Sequence, residues 1–223
     1  MSTTEAFENY QGSLTDHEFQ MSEEFNEKEK HLIAFWDNKF KGKTELSIKC
    51  NSIGPYGAKL LVESLKKNQT LTTLRLHITS IGNLGADHFG EFLKSNHTIT
   101  ELDIQSSEIG TPGAMHLSLA LRKNETLTDL NLRGNDIGDR GVCYFYENLK
   151  KNETLKILNL NGCNISSGYL LDKLYESIDE RQKYKTERRK LLLLSRTFNE
   201  NSCLYKEKLP LDVFKLIWGF SRL

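Results

Sequence analysis

The chain has 223 residues, 38% hydrophobic and 27% charged, and its thirty Lys and Arg balance thirty Asp and Glu. That is enough mass for one ordinary domain or two small ones. The balanced charge argues against a globally basic nucleic-acid binder, and the apolar content argues against a wholly disordered chain. The longest apolar run is the four leucines at 191–194, well short of the roughly 18 residues a membrane span needs.

Charge is balanced in sum and polarised along the chain. Residues 1–30 hold eight acids and two bases, whereas residues 173–223 hold twelve bases and seven acids. The start, Met1 to Tyr10, is polar and acidic and shows no secretory pattern, so a soluble chain in the cytoplasm is expected. Cys50, Cys143, Cys163 and Cys203 lie far apart with no C-x-x-C pair, which encodes neither a zinc site nor a disulfide framework. Free thiols are expected, with no metal and no cofactor.

Residues 1–25 read as a flexible acidic arm and residues 26–43 as an amino-terminal helical cap. The cap is carried by Leu32, Ile33, Phe35, Trp36 and Phe40 within a predicted helix over His31–Phe40. From Leu46 a step of 28 residues meets Leu74, Leu102, Leu130 and Leu158 without insertion or deletion. The same step links Ile48, Leu76, Ile104, Leu132 and Leu160, and later Ile53, Ile81, Ile109, Ile137 and Ile165. Alternating L-x-L is a strand face of period two. The glycines Gly54 and Gly57 and their equivalents then mark a tight turn, and apolar residues three and four apart, as at Ala58, Leu61 and Leu65, form a helix stripe. Each unit therefore reads as strand, turn and helix.

The pattern L-x-x-L-x-L-x-x-N-x-I-G-x-x-G-A-x-x-L closely resembles the ribonuclease-inhibitor-like class of leucine-rich repeats over residues 44–172. The resemblance implies an α/β fold: a right-handed curved solenoid of five 28-residue repeats, with a concave parallel sheet, convex helices and helical end caps. Elementary spacing implies the same bend, because strands stack about 4.8 Å apart while helices need roughly 8–10 Å. A structural ladder is expected at Asn51, Thr79, Ser107, Asn135 and Cys163, whose side chains meet backbone groups left unpaired where the strand turns inward. The triplets Asn68–Thr70, Asn96–Thr98, Asn124–Thr126 and Asn152–Thr154 match a glycosylation acceptor, but their recurrence at the repeat period makes them part of the repeat. Their asparagines are expected to end each helix in the left-handed conformation.

Residues 173–223 read as a helical carboxy-terminal region and cap. Asp172 to Lys190 is rich in charged helix formers. Leu209 to Phe220 forms an amphipathic stretch that either folds back as the cap, resembles the opening of an F-box, or serves as a secretion signal.

The concave face is expected to carry a protein partner through Lys49, Arg75, His77, Glu101, Asp103, Gln105, Asp129, Asn131, Arg133, Asn159 and Asn161, with Glu45, Thr73 and Ile157 beside them. No catalytic constellation or nucleotide-binding fingerprint is present in the sequence, so a monomeric, non-enzymatic interaction scaffold is expected. Two alternatives are an adaptor in ubiquitin ligation or a regulator of a small GTPase, and a membrane-surface binder acting through Arg181 to Lys190. Short arrays of this composition also resemble leucine-rich-repeat effectors that intracellular bacteria deliver into the host cytosol.

Overall fold

A computed structural model describes residues 23–49 and 53–197. Helix α1 (Glu23–Phe40) opens the described chain, eight residues before the predicted start at His31. Trp36 and Phe40 are buried, and the Trp36 ring stands edge-on to Phe35 and stacks on Phe40 at a centroid separation of 6.1 Å. The helix ends where Gly42 adopts φ +69° and the Lys43 amide donates back to the Phe40 carbonyl.

Five strands follow: β1 (Glu45–Lys49), β2 (Thr73–His77), β3 (Glu101–Asp103), β4 (Asp129–Asn131) and β5 (Ile157–Asn159). They form one parallel sheet in the order β1-β2-β3-β4-β5, with Leu46 beside Leu74, Leu74 beside Leu102, Leu102 beside Leu130 and Leu130 beside Leu158. Parallel neighbours require a crossover, supplied by α2 (Gly54–Leu65), α3 (Gly82–Leu93), α4 (Thr111–Leu121) and α5 (Gly138–Leu149), after which α6 (Gly168–Thr197) follows β5. Leu74, Leu102 and Leu130 are at most 1% exposed and share a continuous core with Ala86, Phe89, Ala114, Leu117, Val142 and Phe145 from the helices.

The two glycines of each turn have different tasks. Gly54, Gly82 and Gly138 take φ between +61° and +65°, which reverses the chain into the helix. Gly110 departs from this: its φ is −99°, leaving Glu108, equivalent to the left-handed Ser80, as the last residue with positive φ before α4, and the Gly110 amide donates to Asn83 Oδ1 at 2.8 Å. The second glycine is required by space. A Cβ on Gly113 would stand 2.6 Å from Ile109 Cγ2 and 3.0 Å from Ala86 Cβ of the preceding helix.

The chain divides into two compact units, 1–178 and 179–223. In the first, Leu174 and Ile178 of α6 enter the core, and the Leu160 amide just beyond β5 donates to the Tyr175 hydroxyl at 3.4 Å. Burial pushes the Tyr175 phenol above its ordinary value. In the second, α6 runs on with Lys183, Tyr184 and Glu187 exposed. Of the predicted arm over residues 1–25, residues 1–22 lie outside the described residues and 23–25 belong to α1; the ladder position Asn51 and the Leu209–Phe220 segment also lie outside them.

Gly113→Ala is expected to destabilise the fold by about 1–3 kcal/mol through overpacking between α3 and α4. Urea denaturation followed by circular dichroism measures this, with Gly54→Ala, where nothing lies within 4 Å of the added carbon, as the comparison for backbone strain without crowding.

Candidate protein-binding face

Once the leucines are buried, the backbone that curls away from each strand must find hydrogen bonds inside an apolar core. Asn135 supplies four. Its Oδ1 accepts from the Ser107 and Ile109 amides at 2.9 and 3.0 Å, while its Nδ2 donates to the Ile104 and Leu132 carbonyls at 3.0 and 2.7 Å. Thr79 and Ser107 exchange a buried hydroxyl bond at 3.0 Å, and the Cys163 thiol donates to the Leu132 carbonyl at 3.1 Å. Burial raises the Cys163 pKa above the ordinary thiol value, which keeps it neutral and a donor.

A second polar row runs through the helix-to-strand loops. Asn68, Asn96, Asn124 and Asn152 are not left-handed helix ends, because none has a positive φ. Their Oδ1 atoms instead accept amides two and three residues ahead, as Asn124 does from Thr126 and Leu127 at 3.0 and 2.7 Å. The Nδ2 of Asn124 reaches back to the Leu93 and Asn96 carbonyls, and that of Asn152 to the Leu121 and Asn124 carbonyls. Each of these two asparagines therefore closes its own turn and joins it to the preceding one. The repetition of N-x-T at the unit period was the available signal for this row.

The side chains opposite the leucines share the open face of the sheet. On its β1–β3 half the charges centre on Arg75. Arg75 bonds Glu101 through Nε at 3.0 Å and lies 3.3 Å from Glu45, so one guanidinium spans three strands. His77 Nε2 lies 3.3 Å from Asp103 Oδ2. Thr73, expected in the same open row, is only 6% exposed. Lys49 is exposed at the β1 end and has no ion-pair partner among the described residues.

The β4–β5 half differs. Ile157, in register with Asp129, is 58% exposed. Beside it is Asp129, which accepts from the neighbouring Thr128 hydroxyl; Asn131 and Asn159 follow two residues along the strands, and Arg133 and Asn161 just past their ends. Arg133 is exposed without an ion-pair partner among the described residues. Asp103, Asn131 and Asn159 each accept the amide two residues on, from Gln105, Arg133 and Asn161, all at 3.1 Å. These three residues, read from sequence as ligand contacts, thus also brace the strand ends. Among the described residues no group of three His, Cys, Asp or Glu could hold a metal, and no helix is long and apolar enough to cross a membrane.

A leucine-rich repeat family model matches residues 95–118, 123–143 and 151–168. No curated protein matches the chain. Among solved structures, the actin-binding site 2 domain of leiomodin-1 is similar at 24% identity and a TM-score of 0.56, over 72% of this chain and 95% of that one. The tropomodulin carboxy-terminal domain of Caenorhabditis elegans is similar at 14% identity and a TM-score of 0.57, over 72% and 97%. The matches and the single parallel sheet with alternating helices support a leucine-rich repeat family and an α/β solenoid of that type.

Two substitutions separate the roles of the turn residues. Asn135→Ala removes four buried bonds and is expected to cost about 3–5 kcal/mol, measurable as a lowered urea midpoint. Ile78 has φ +57°, a conformation in which Ser106 (φ +49°), Gly134 (φ +71°) and Gly162 (φ +69°) stand in the following units, and it is 57% exposed. A β-branched residue is strained there, so Ile78→Gly is expected to raise stability by about 0.5–1 kcal/mol in the same assay.

Proposed function

We propose that the chain is a non-enzymatic protein-interaction scaffold whose five 28-residue repeats form a right-handed solenoid that binds a protein on its concave face. The observation that carries this reading is the asymmetry of the open face. In its β1–β3 half Arg75 is held by Glu45 and Glu101, while the β4–β5 half presents exposed Ile157 beside Asp129, with Asn131, Asn159, Arg133 and Asn161 farther along the same face. An exposed apolar anchor next to hydrogen-bonding groups is an arrangement that concentrates binding energy at protein interfaces. Arg75, His77, Glu101, Asp103 and Gln105 then set the charge complementarity of the flank and the orientation of the partner.

The likeness to an actin-binding domain of leiomodin-1 makes actin the first partner to test. The bacterial-effector provenance has no support in the comparisons, and this reading does not need it. The F-box-like adaptor alternative rests on Leu209–Phe220, outside the described residues.

Binding of fluorescent monomeric actin, read by anisotropy, tests the partner and the face together. Ile157→Glu combined with Arg133→Glu is expected to weaken binding at least about tenfold with an unchanged melting temperature, because both side chains are exposed. Undiminished binding by this variant would move the site off the β4–β5 half, and no binding by the unmodified chain would exclude actin.

A further inference from the structure

The two ends of the sheet are finished differently. At β5 the next backbone amide is met by Tyr175 and the core is closed by Leu174 and Ile178. At β1 no strand lies on the outer side among the described residues. Leu46 stays partly exposed, although its equivalents Leu74, Leu102 and Leu130 are sealed. A groove runs between this edge and α1, lined by Trp36, Lys39, Lys43 and the consecutive residues Leu46 to Lys49. In a strand, consecutive side chains point to opposite faces. When four in a row line one groove, the groove meets the strand on its edge, where the backbone donors and acceptors have no strand partner among the described residues. Its walls are apolar at Trp36, Leu46 and Ile48 and cationic at Lys39, Lys43 and Lys49.

An occupant suited to this groove is extended, anionic and partly apolar. Residues 1–22 carry Glu5, Glu8, Asp16 and Glu18, contain no Lys or Arg, and interleave Phe7, Tyr10, Leu14 and Phe19. They join α1 at Glu23. The groove lies at the other end of that helix, about 24 Å away at 1.5 Å per residue, and roughly eight extended residues cover that distance, leaving more than a strand's length to dock. Tethering removes most of the entropic cost of association.

We propose that the outer edge of β1 is the docking site for the chain's own acidic amino-terminal segment, which adds a strand there by backbone pairing and is held in place by Lys39, Lys43 and Lys49. The segment completes the sheet at the end that lacks a preceding repeat. This inference is independent of whether the β4–β5 face binds a partner.

Amide hydrogen exchange in the full chain tests it, read at the β1 amides that point away from β2, with the Leu74 and Leu102 amides as a control for the intact fold. These edge amides are expected to be protected at about 0.05 M salt and less so at about 1 M. Converting Lys39, Lys43 and Lys49 to Glu should speed their exchange roughly tenfold, and so should converting Glu5, Glu8, Asp16 and Glu18 to Lys, with protection restored when both sets are combined. Edge amides that exchange freely in the unmodified chain, protection indifferent to both reversals, or protection lost on dilution, which would mean a second copy occupies the edge, would each overturn the proposal.

Discussion

A strand-and-helix unit of this length has more apolar side chain than it can cover by itself, and stacking on a neighbour in strict register is what buries the excess. That constraint governs the rest of the molecule. Leu74, Leu102 and Leu130 are sealed because each has a unit on either side, and the pairing of like with like along the sheet follows from equal unit length. Burial at this density leaves little freedom for the connecting backbone, which explains why Gly113 must lack a side chain against Ile109 and Ala86.

Packing leucines also strands backbone polar groups in a dry interior, and the chain meets that cost with two rows of polar side chains. On the strand-to-helix side, Asn135 makes four bonds, whereas Thr79, Ser107 and Cys163 do the same work with fewer. On the helix-to-strand side, Asn124 and Asn152 tie each loop to the one before it. These rows restrict sliding between units, since a slip by one residue would unpair the bonds and also expose the leucines. The resulting rigidity holds the open face in one arrangement, which would lower the ordering cost of the binding proposed for it.

The open face is chemically divided by the same regularity. Side chains at equivalent positions on adjacent strands are close enough to pair across the sheet. Where opposite charges fall in neighbouring units, as with Glu45, Arg75 and Glu101, they satisfy one another. Where Ile157 and two asparagines follow Asp129, no such pairing is available, and the surface remains open to a partner. The ends of the stack differ for a related reason. α6 carries Leu174, Tyr175 and Ile178 onto the β5 side, whereas α1 covers the β1 side of the core with Trp36 and Phe40 but leaves the strand edge facing a groove.

The period of 28, the alternation L-x-L and the recurrent glycines determine on their own that the chain alternates strand and helix, which residues form the core, and which side chains share the opposite face. This is because burial in a repeat depends only on position within the unit. The sequence did not decide which polar residues act on the backbone and which remain for a partner. Asn68, Asn96, Asn124 and Asn152 look from sequence like helix ends, but they act as turn closures because their Oδ1 atoms accept the amides of residues ahead and, for Asn124 and Asn152, their Nδ2 groups donate to the preceding unit. Asp103, Asn131 and Asn159 look like free recognition groups yet accept amides of their own turns. The neutralisation of Arg75, the burial of Thr73 and the strain at Ile78 likewise depend on neighbours a full unit away in sequence. Only the stacked structure brings those neighbours within hydrogen-bonding distance.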